Sequence, residues 1–269
     1  MSLIKDTFKL LKSKNEGALI GYITAGDPKP EYTHQIAEAL IRGGVDLLEL
    51  GLPFSDPIAD GPTIQAASVR ALEMGTTPKL VLEMADKIKQ KYQIPIVVMT
   101  YFNPVFRIGL STFFDQAKRN QVDGLIIPDL PIEEADEYRS IAHSSGLDTI
   151  FLATPSTSEL RLRKIAEYSS GFLYLVSQFG VTGERRVVEE STINLVKQVS
   201  NVISEKVPLA VGFGISKPEH VKKIIEAGAD GAIVGSAFVN VVHRNRGNFD
   251  KMLMELETKA LELKKGTLN

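Results

Sequence analysis

Short runs of Val, Ile, Leu and Ala recur along this chain, and each is followed by a longer stretch in which apolar residues return every three or four positions. A continuous apolar run is how a strand covered on both faces reads, and the three-to-four return is the stripe of a helix lying on it. Runs stand at 18–24 (ALIGYIT), 46–51 (DLLELG), 95–100 (PIVVMT), 123–128 (DGLIIP), 148–153 (DTIFLA), 171–176 (GFLYLV), 207–212 (VPLAVG) and 230–235 (DGAIVG). Helical stripes fall between them, for instance over 32–42, 79–91, 110–120, 160–169 and 218–227. Strand and helix in strict alternation predict βα units around a parallel sheet. Eight units close into a (β/α)8 TIM barrel, which occupies about 250 residues. The 269 residues therefore read as one domain over 1–269 with extra helices: an amphipathic start at 1–8 and a closing helix over 247–265.

The stretches leading into several strands repeat a theme: Gly43-Gly44-Val45-Asp46, Gln121-Val122-Asp123-Gly124 and Ala227-Gly228-Ala229-Asp230-Gly231. These read as turns that end a helix and feed the barrel bottom, with a role in stability. Chemistry is expected at the opposite end, where the strands finish.

One carboxylate breaks the apolar pattern there. Glu49 sits inside the second run, where an unpaired charge would cost roughly several kcal/mol, so a buried acid of this kind is a functional candidate. Asp60 follows eleven residues later, ahead of Gly61-Pro62-Thr63. It reads equally as a functional acid or as the cap of a helix whose first residue is Pro62. Asp56-Pro57 has a similar ambiguity, because Asp before Pro commonly opens a turn.

Glycines mark a second feature. Run seven ends in Gly212-Phe213-Gly214-Ile215-Ser216 and run eight in Gly235-Ser236-Ala237, each ahead of helical sequence. Glycine lets backbone N–H groups approach an anion, and the loops after the last two strands are the usual phosphate site of a barrel. A phosphorylated ligand is expected. After run six comes the long segment 177–186, with Gly180 and Gly183 as hinge candidates and two arginines, which reads either as a lid or as a solvated loop.

Composition narrows the partners. With 31 basic and 33 acidic residues the net charge is -2, so no bulk field draws nucleic acid or an anionic membrane. Zero cysteines exclude disulfides, thiolate metal sites and cysteine nucleophiles. His34, His143, His220 and His243 are scattered without metal-ligand spacing, so no metal is expected. No apolar stretch nears the roughly 18 residues of a membrane span, and the chain opens without a signal-peptide pattern, which predicts a cytoplasmic protein.

The motifs in order carry a resemblance. Leu48-Glu49-Leu50-Gly51-Leu52-Pro53-Phe54-Ser55-Asp56-Pro57, then Ala59-Asp60-Gly61-Pro62-Thr63-Ile64-Gln65, resembles the signature of the tryptophan synthase alpha chain family. The likeness extends through Tyr22-Ile23-Thr24-Ala25-Gly26-Asp27-Pro28, Met99-Thr100-Tyr101-Phe102-Asn103-Pro104, Pro128-Asp129-Leu130-Pro131, Gly180-Val181-Thr182-Gly183, Gly212-Phe213-Gly214-Ile215 and Gly235-Ser236-Ala237.

That resemblance implies a lyase that cleaves indole-3-glycerol phosphate to indole and glyceraldehyde 3-phosphate, with Glu49 and Asp60 catalytic. It implies an indole pocket of Tyr22, Met99, Ile126 and Phe213, a substrate contact from Tyr101, and Tyr174 beside the catalytic carboxylate. Phosphate would rest on Gly183, Gly212, Phe213, Gly214, Gly235 and Ser236, and Thr182 would orient Asp60. Asp56 and Pro57 would meet a beta chain in an alpha2beta2 heterotetramer. Pyridoxal phosphate would belong to that partner, with no cofactor in this chain. Tyr22 departs from the Phe of many members, and Gln178 from the Arg of some. A stand-alone indole-3-glycerol phosphate lyase is the alternative. A phosphoribosyl isomerase-like barrel and an inactive regulatory subunit are less consistent with the single phosphate constellation and the acid pair.

Overall fold

Residues 2–176, 190–203, 206–212 and 214–268 are described by a computed structural model. Nine parallel segments make its sheet: β1 (Ala18–Thr24), β2 (Leu47–Gly51), β3 (Ile96–Met99), β4 (Gly124–Ile126), β5 (Asp148–Ile150), β6 (Leu152–Ala153), β7 (Leu173–Val176), β8 (Leu209–Gly212) and β9 (Gly231–Val234). Their order is β5-β4-β3-β2-β1-β9-β8-β7-β6. The two ends of that order are consecutive in the chain, because β5 and β6 are halves of one strand separated by Phe151. The Tyr174 N–H donates to the Phe151 carbonyl at 3.0 Å, and the Ser170 N–H to the Thr149 carbonyl at 2.9 Å, so the ring closes there. All eight apolar runs are barrel strands. Several are shorter than their runs, either at the start or at both ends.

Strand alternation sends one set of side chains inward and the other toward the helices. The inward set includes Ala18, Ile20, Leu47, Val97, Ile126, Ile150, Phe172, Ala210 and Ile233, all buried. Ile4, Phe8 and Leu11 join it from the helix Leu3–Ser13, which plugs the barrel bottom. From Leu3 onward this start is helical as its spacing suggested, and its apolar stripe has the inner barrel as its partner. Outward residues pack with the helices in the larger core.

The turns at the bottom share one device. Asp46 accepts the Leu19 N–H at 2.7 Å, Asp123 the Ile96 N–H at 2.7 Å, and Asp230 the Leu209 N–H at 2.8 Å. Each carboxylate satisfies a neighbouring strand's first free donor, which the ladder leaves open. Lys264 meets Asp46 at 2.8 Å and Lys89 meets Asp123 at 2.9 Å, so these acids are neutralised as well as bonded. The closing helix, Phe249–Lys265, carries Lys264 and lies against the helix Thr33–Arg42. Their approach is close enough that a Cβ on Gly43 would fall 2.5 Å from the Ala260 Cβ.

Among the described residues no helix is long and apolar enough to cross a membrane.

Candidate active site

Glu49 lies in β2, in register with Tyr22 of β1 and Val97 of β3, and points into the upper barrel. Its relative exposure is 0%, and neither carboxylate oxygen has a hydrogen-bond partner among the described residues. Burial, and secondarily the Asp60 charge, pushes its carboxyl up to about 8. Near neutrality it therefore carries a proton. The strand that makes Glu49 legible as an anomaly also makes it an acid, because no donor among the described residues reaches the carboxylate to stabilise the anion.

Asp60 lies between β2 and the helix Pro62–Glu73. The helix cap is Gly61, without a side-chain cap bond, so the Asp60 carboxylate is not used for capping. Instead its Oδ2 accepts the Tyr101 hydroxyl at 3.0 Å. Burial raises its carboxyl to about 6, opposed by that hydrogen bond. Two neighbouring carboxyls thus sit on opposite sides of neutrality, one protonated and one ionised, which divides acid from electrostatic work.

Three tyrosines enclose them. The Tyr22 hydroxyl shares a hydrogen bond with Thr24 Oγ1 at 3.3 Å. Burial and the nearby carboxylates raise the Tyr22 and Tyr174 phenols above their ordinary value, so both remain neutral donors. Room for these rings is made by glycine. A Cβ on Gly51 would stand 2.1 Å from the Tyr22 hydroxyl, and one on Gly212 would stand 2.7 Å from Tyr174. Met99 packs with Tyr22, Ile64, Ala67 and Val239 on the same side, while Ile126 is in the inner barrel beneath.

The phosphate candidates converge at the ends of β8 and β9. Gly212 ends β8, Gly214 has φ 62°, and Gly235 precedes the helix Ser236–Arg244, whose first residue Ser236 is buried. A helix start of this kind, with its positive dipole end, suits an anion. Thr182, Gly183 and Phe213 lie outside the described residues, as does the whole 177–186 segment.

Asp56 is exposed and Pro57 half-buried, and beside them Ile58 is 82% exposed. Ile58, Ala59 and Asp60 also border a cavity of about 850 Å³ that reaches Phe151, Leu152 and Val176. Among the described residues no group of three or more His, Cys, Asp or Glu is arranged to hold a metal ion.

Two contributors escaped the sequence reading. Arg70, on the helix after Asp60, makes paired bonds of 2.8 and 2.7 Å to the buried Asp27 in the loop after β1. The second is Gly51, quoted in the motif but given no role, whose missing Cβ makes space for Tyr22. Nothing short of the folded chain brings residues 27 and 70 together. An arginine at an internal position of an otherwise small-residue helix face was the one available hint.

Comparisons with known proteins place the chain in a family. Residues 8–268 match the family model described as tryptophan synthase alpha chain. A tryptophan synthase alpha chain of Solibacter usitatus is 47% identical over 266 residues, covering 99% of this chain and 98% of the relative. One from Methanosarcina acetivorans is 49% identical over 265 residues, covering 98% and 94%. Among solved structures, Mycobacterium tuberculosis tryptophan synthase superposes with a TM-score of 0.91 at 35% identity, covering 100% and 99% of the two chains. A tryptophan synthase complex from Pyrococcus furiosus gives 0.85 at 38% identity, covering 92% and 98%.

Proposed function

This chain belongs to the tryptophan synthase alpha chain family and is a lyase of tryptophan biosynthesis, and from that premise we propose how its residues cleave indole-3-glycerol phosphate to indole and glyceraldehyde 3-phosphate. Cleavage of the bond between indole C3 and the glycerol chain needs an electron sink in the ring and a base at the adjacent hydroxyl. Glu49, protonated in its apolar strand, delivers its proton to C3. Positive charge then develops toward the ring nitrogen, where the ionised Asp60 accepts the indole N–H and stabilises it. Glu49, now a carboxylate, takes the proton of the hydroxyl on the neighbouring carbon. The C–C bond breaks as the carbonyl forms, its electron pair restores the aromatic ring, and Glu49 ends protonated as it began.

Tyr22, Met99, Ile126 and Phe213 line the indole pocket, Tyr101 contacts the substrate, and Tyr174 helps to position the Glu49 carboxylate. Gly212, Gly214, Gly235 and Ser236 hold the phosphate through main-chain N–H groups, together with Gly183 and Phe213, and Thr182 orients Asp60. The family has no cofactor of its own, and pyridoxal phosphate is assigned to a beta chain. That beta chain docks on the 53–60 segment through Asp56 and Pro57, forms an alpha2beta2 heterotetramer in the cytoplasm and receives the indole. Docking there orders the segment and favours the competent position of Asp60. The exposed Ile58 next to Asp56 supports an apolar contact at that place.

The observation that carries this reading is Glu49, fully buried and without a hydrogen-bond partner among the described residues, where burial pushes its carboxyl up to about 8. Indole release from indole-3-glycerol phosphate by the purified chain, alone and with a beta chain, tests it. Slow release alone, acceleration with the beta chain and loss in Glu49→Gln and Asp60→Asn are expected. Release unaffected by any beta chain would return the stand-alone lyase, which the alpha-chain relatives do not favour.

A further inference from the structure

Between β2 and the helix Pro62–Glu73 the chain makes almost no regular structure, yet three contacts from this segment converge on a single side chain outside it. Near its start, Phe54 stacks on the Tyr101 ring with centroids 5.3 Å apart and planes at 30°. Near its end, the Ala59 N–H donates to the Tyr101 hydroxyl oxygen at 3.0 Å. The same hydroxyl donates to Asp60 Oδ2 at 3.0 Å. Tyr101 is itself fixed at the head of the helix Phe102–Ile108. There the Phe102 N–H donates to Asp129 Oδ1 at 2.8 Å, and the Thr100 N–H to the Ile126 carbonyl at 2.9 Å.

We propose that Tyr101 is a positioning residue, a rigid post that holds both ends of the 54–60 segment and aims the ionised carboxylate of Asp60 at the substrate. This rests on the reading of Asp60 given above. A phenol has one hydrogen to donate. With a lone pair engaged by the Ala59 N–H, the Tyr101 O–H points at Asp60 and is polarised by the bond it accepts. A hydrogen bond donated to a carboxylate favours the charged form. Among the described residues, the other titratable groups bearing on Asp60 are Tyr22 from β1, Glu49 from β2 and Tyr174 from β7, none of them a cation. Gln65 Nε2 bonds the Asp60 main-chain carbonyl at 2.9 Å and leaves the carboxylate to Tyr101.

Tyr101→Phe separates this role from simple contact with substrate, because it keeps the ring and the Phe54 stack and removes both hydrogen bonds. Amide exchange at Ala59 is expected to quicken about tenfold, as a lost hydrogen bond of ordinary strength implies. In indole release, kcat should fall about tenfold or more with KM within about threefold, the pattern of a transition-state rather than a binding defect. The acid limb of the kcat profile should move to higher pH, since Asp60 loses the bond that favours its anion. Phe54→Leu should quicken exchange across the segment and leave the acid limb in place. Unchanged Ala59 exchange, or a raised KM with kcat and acid limb as in the unaltered chain, overturns the proposal. If Asp60→Asn retains activity, the reading of Asp60 fails instead, and the exchange result still decides whether Tyr101 is the post.

Discussion

The two ends of the barrel treat buried acids in opposite ways. At the bottom, Asp46 and Asp123 each accept a strand N–H and face a lysine. Burial raises their carboxyls, and the lysine and the backbone bond oppose that rise. At the top, Glu49 has neither partner among the described residues, and burial raises its carboxyl with none of them opposing it. The same residue chemistry, in the same fold, thus serves as a strand-end clamp at one end and as a proton donor at the other. The difference lies in what surrounds it: partners neutralise a charge, and their absence keeps a proton.

Four measurements would break or sharpen that contrast. The largest effect belongs to the top: Glu49→Gln should reduce indole release by about 10²- to 10⁴-fold, the range for loss of a placed acid and base. At the bottom, Asp123→Ala should cost about 3–5 kcal/mol in denaturant unfolding, because it strands the buried Lys89 ammonium. Activity per folded molecule should stay near that of the unaltered chain, and a specific loss of turnover there would erase the division between the ends.

The pH profile comes next. Activity requires Asp60 ionised and Glu49 protonated, so kcat/KM should be bell-shaped, falling below about 6 and above about 8. Each limb should approach tenfold per pH unit beyond its midpoint. A profile flat across that window would separate neither carboxyl from its ordinary value.

The smallest effect is a gain. Glu49 is raised in the folded chain above its ordinary 4.5, so the folded state holds a proton that the unfolded state releases between 4.5 and about 8. Stability from this group is complete below 4.5 and declines as pH rises through that window. Glu49→Gln removes the decline and should stabilise the chain at pH 9 by roughly 1–3 kcal/mol, taking a reduced share of the full shift. Equal unfolding midpoints for the two chains at pH 6 and at pH 9 would contradict it.

Much of this was legible without coordinates. The barrel strands announced themselves because both faces are covered, which leaves an uninterrupted apolar run. Glu49 was visible against that run, and the bottom turns through their Gly and Asp residues. Asp60 was ambiguous until the structure placed the helix cap on Gly61 and the carboxylate on Tyr101. The break of the fifth strand at Phe151 had no counterpart in its sequence, where DTIFLA reads as one run.

The sequence by itself determined the alternation of strands and helices, the closure of eight units and the presence of an acid where only apolar residues belong. These follow from periodicity and burial, which act between neighbours in the chain. Tertiary structure alone decided that Arg70 meets Asp27, that Lys89 neutralises Asp123, that the first helix fills the barrel floor, and that Tyr101 reaches Asp60. Those contacts join residues far apart in sequence, and their strength depends on distance and dielectric, which exist only once the barrel has closed.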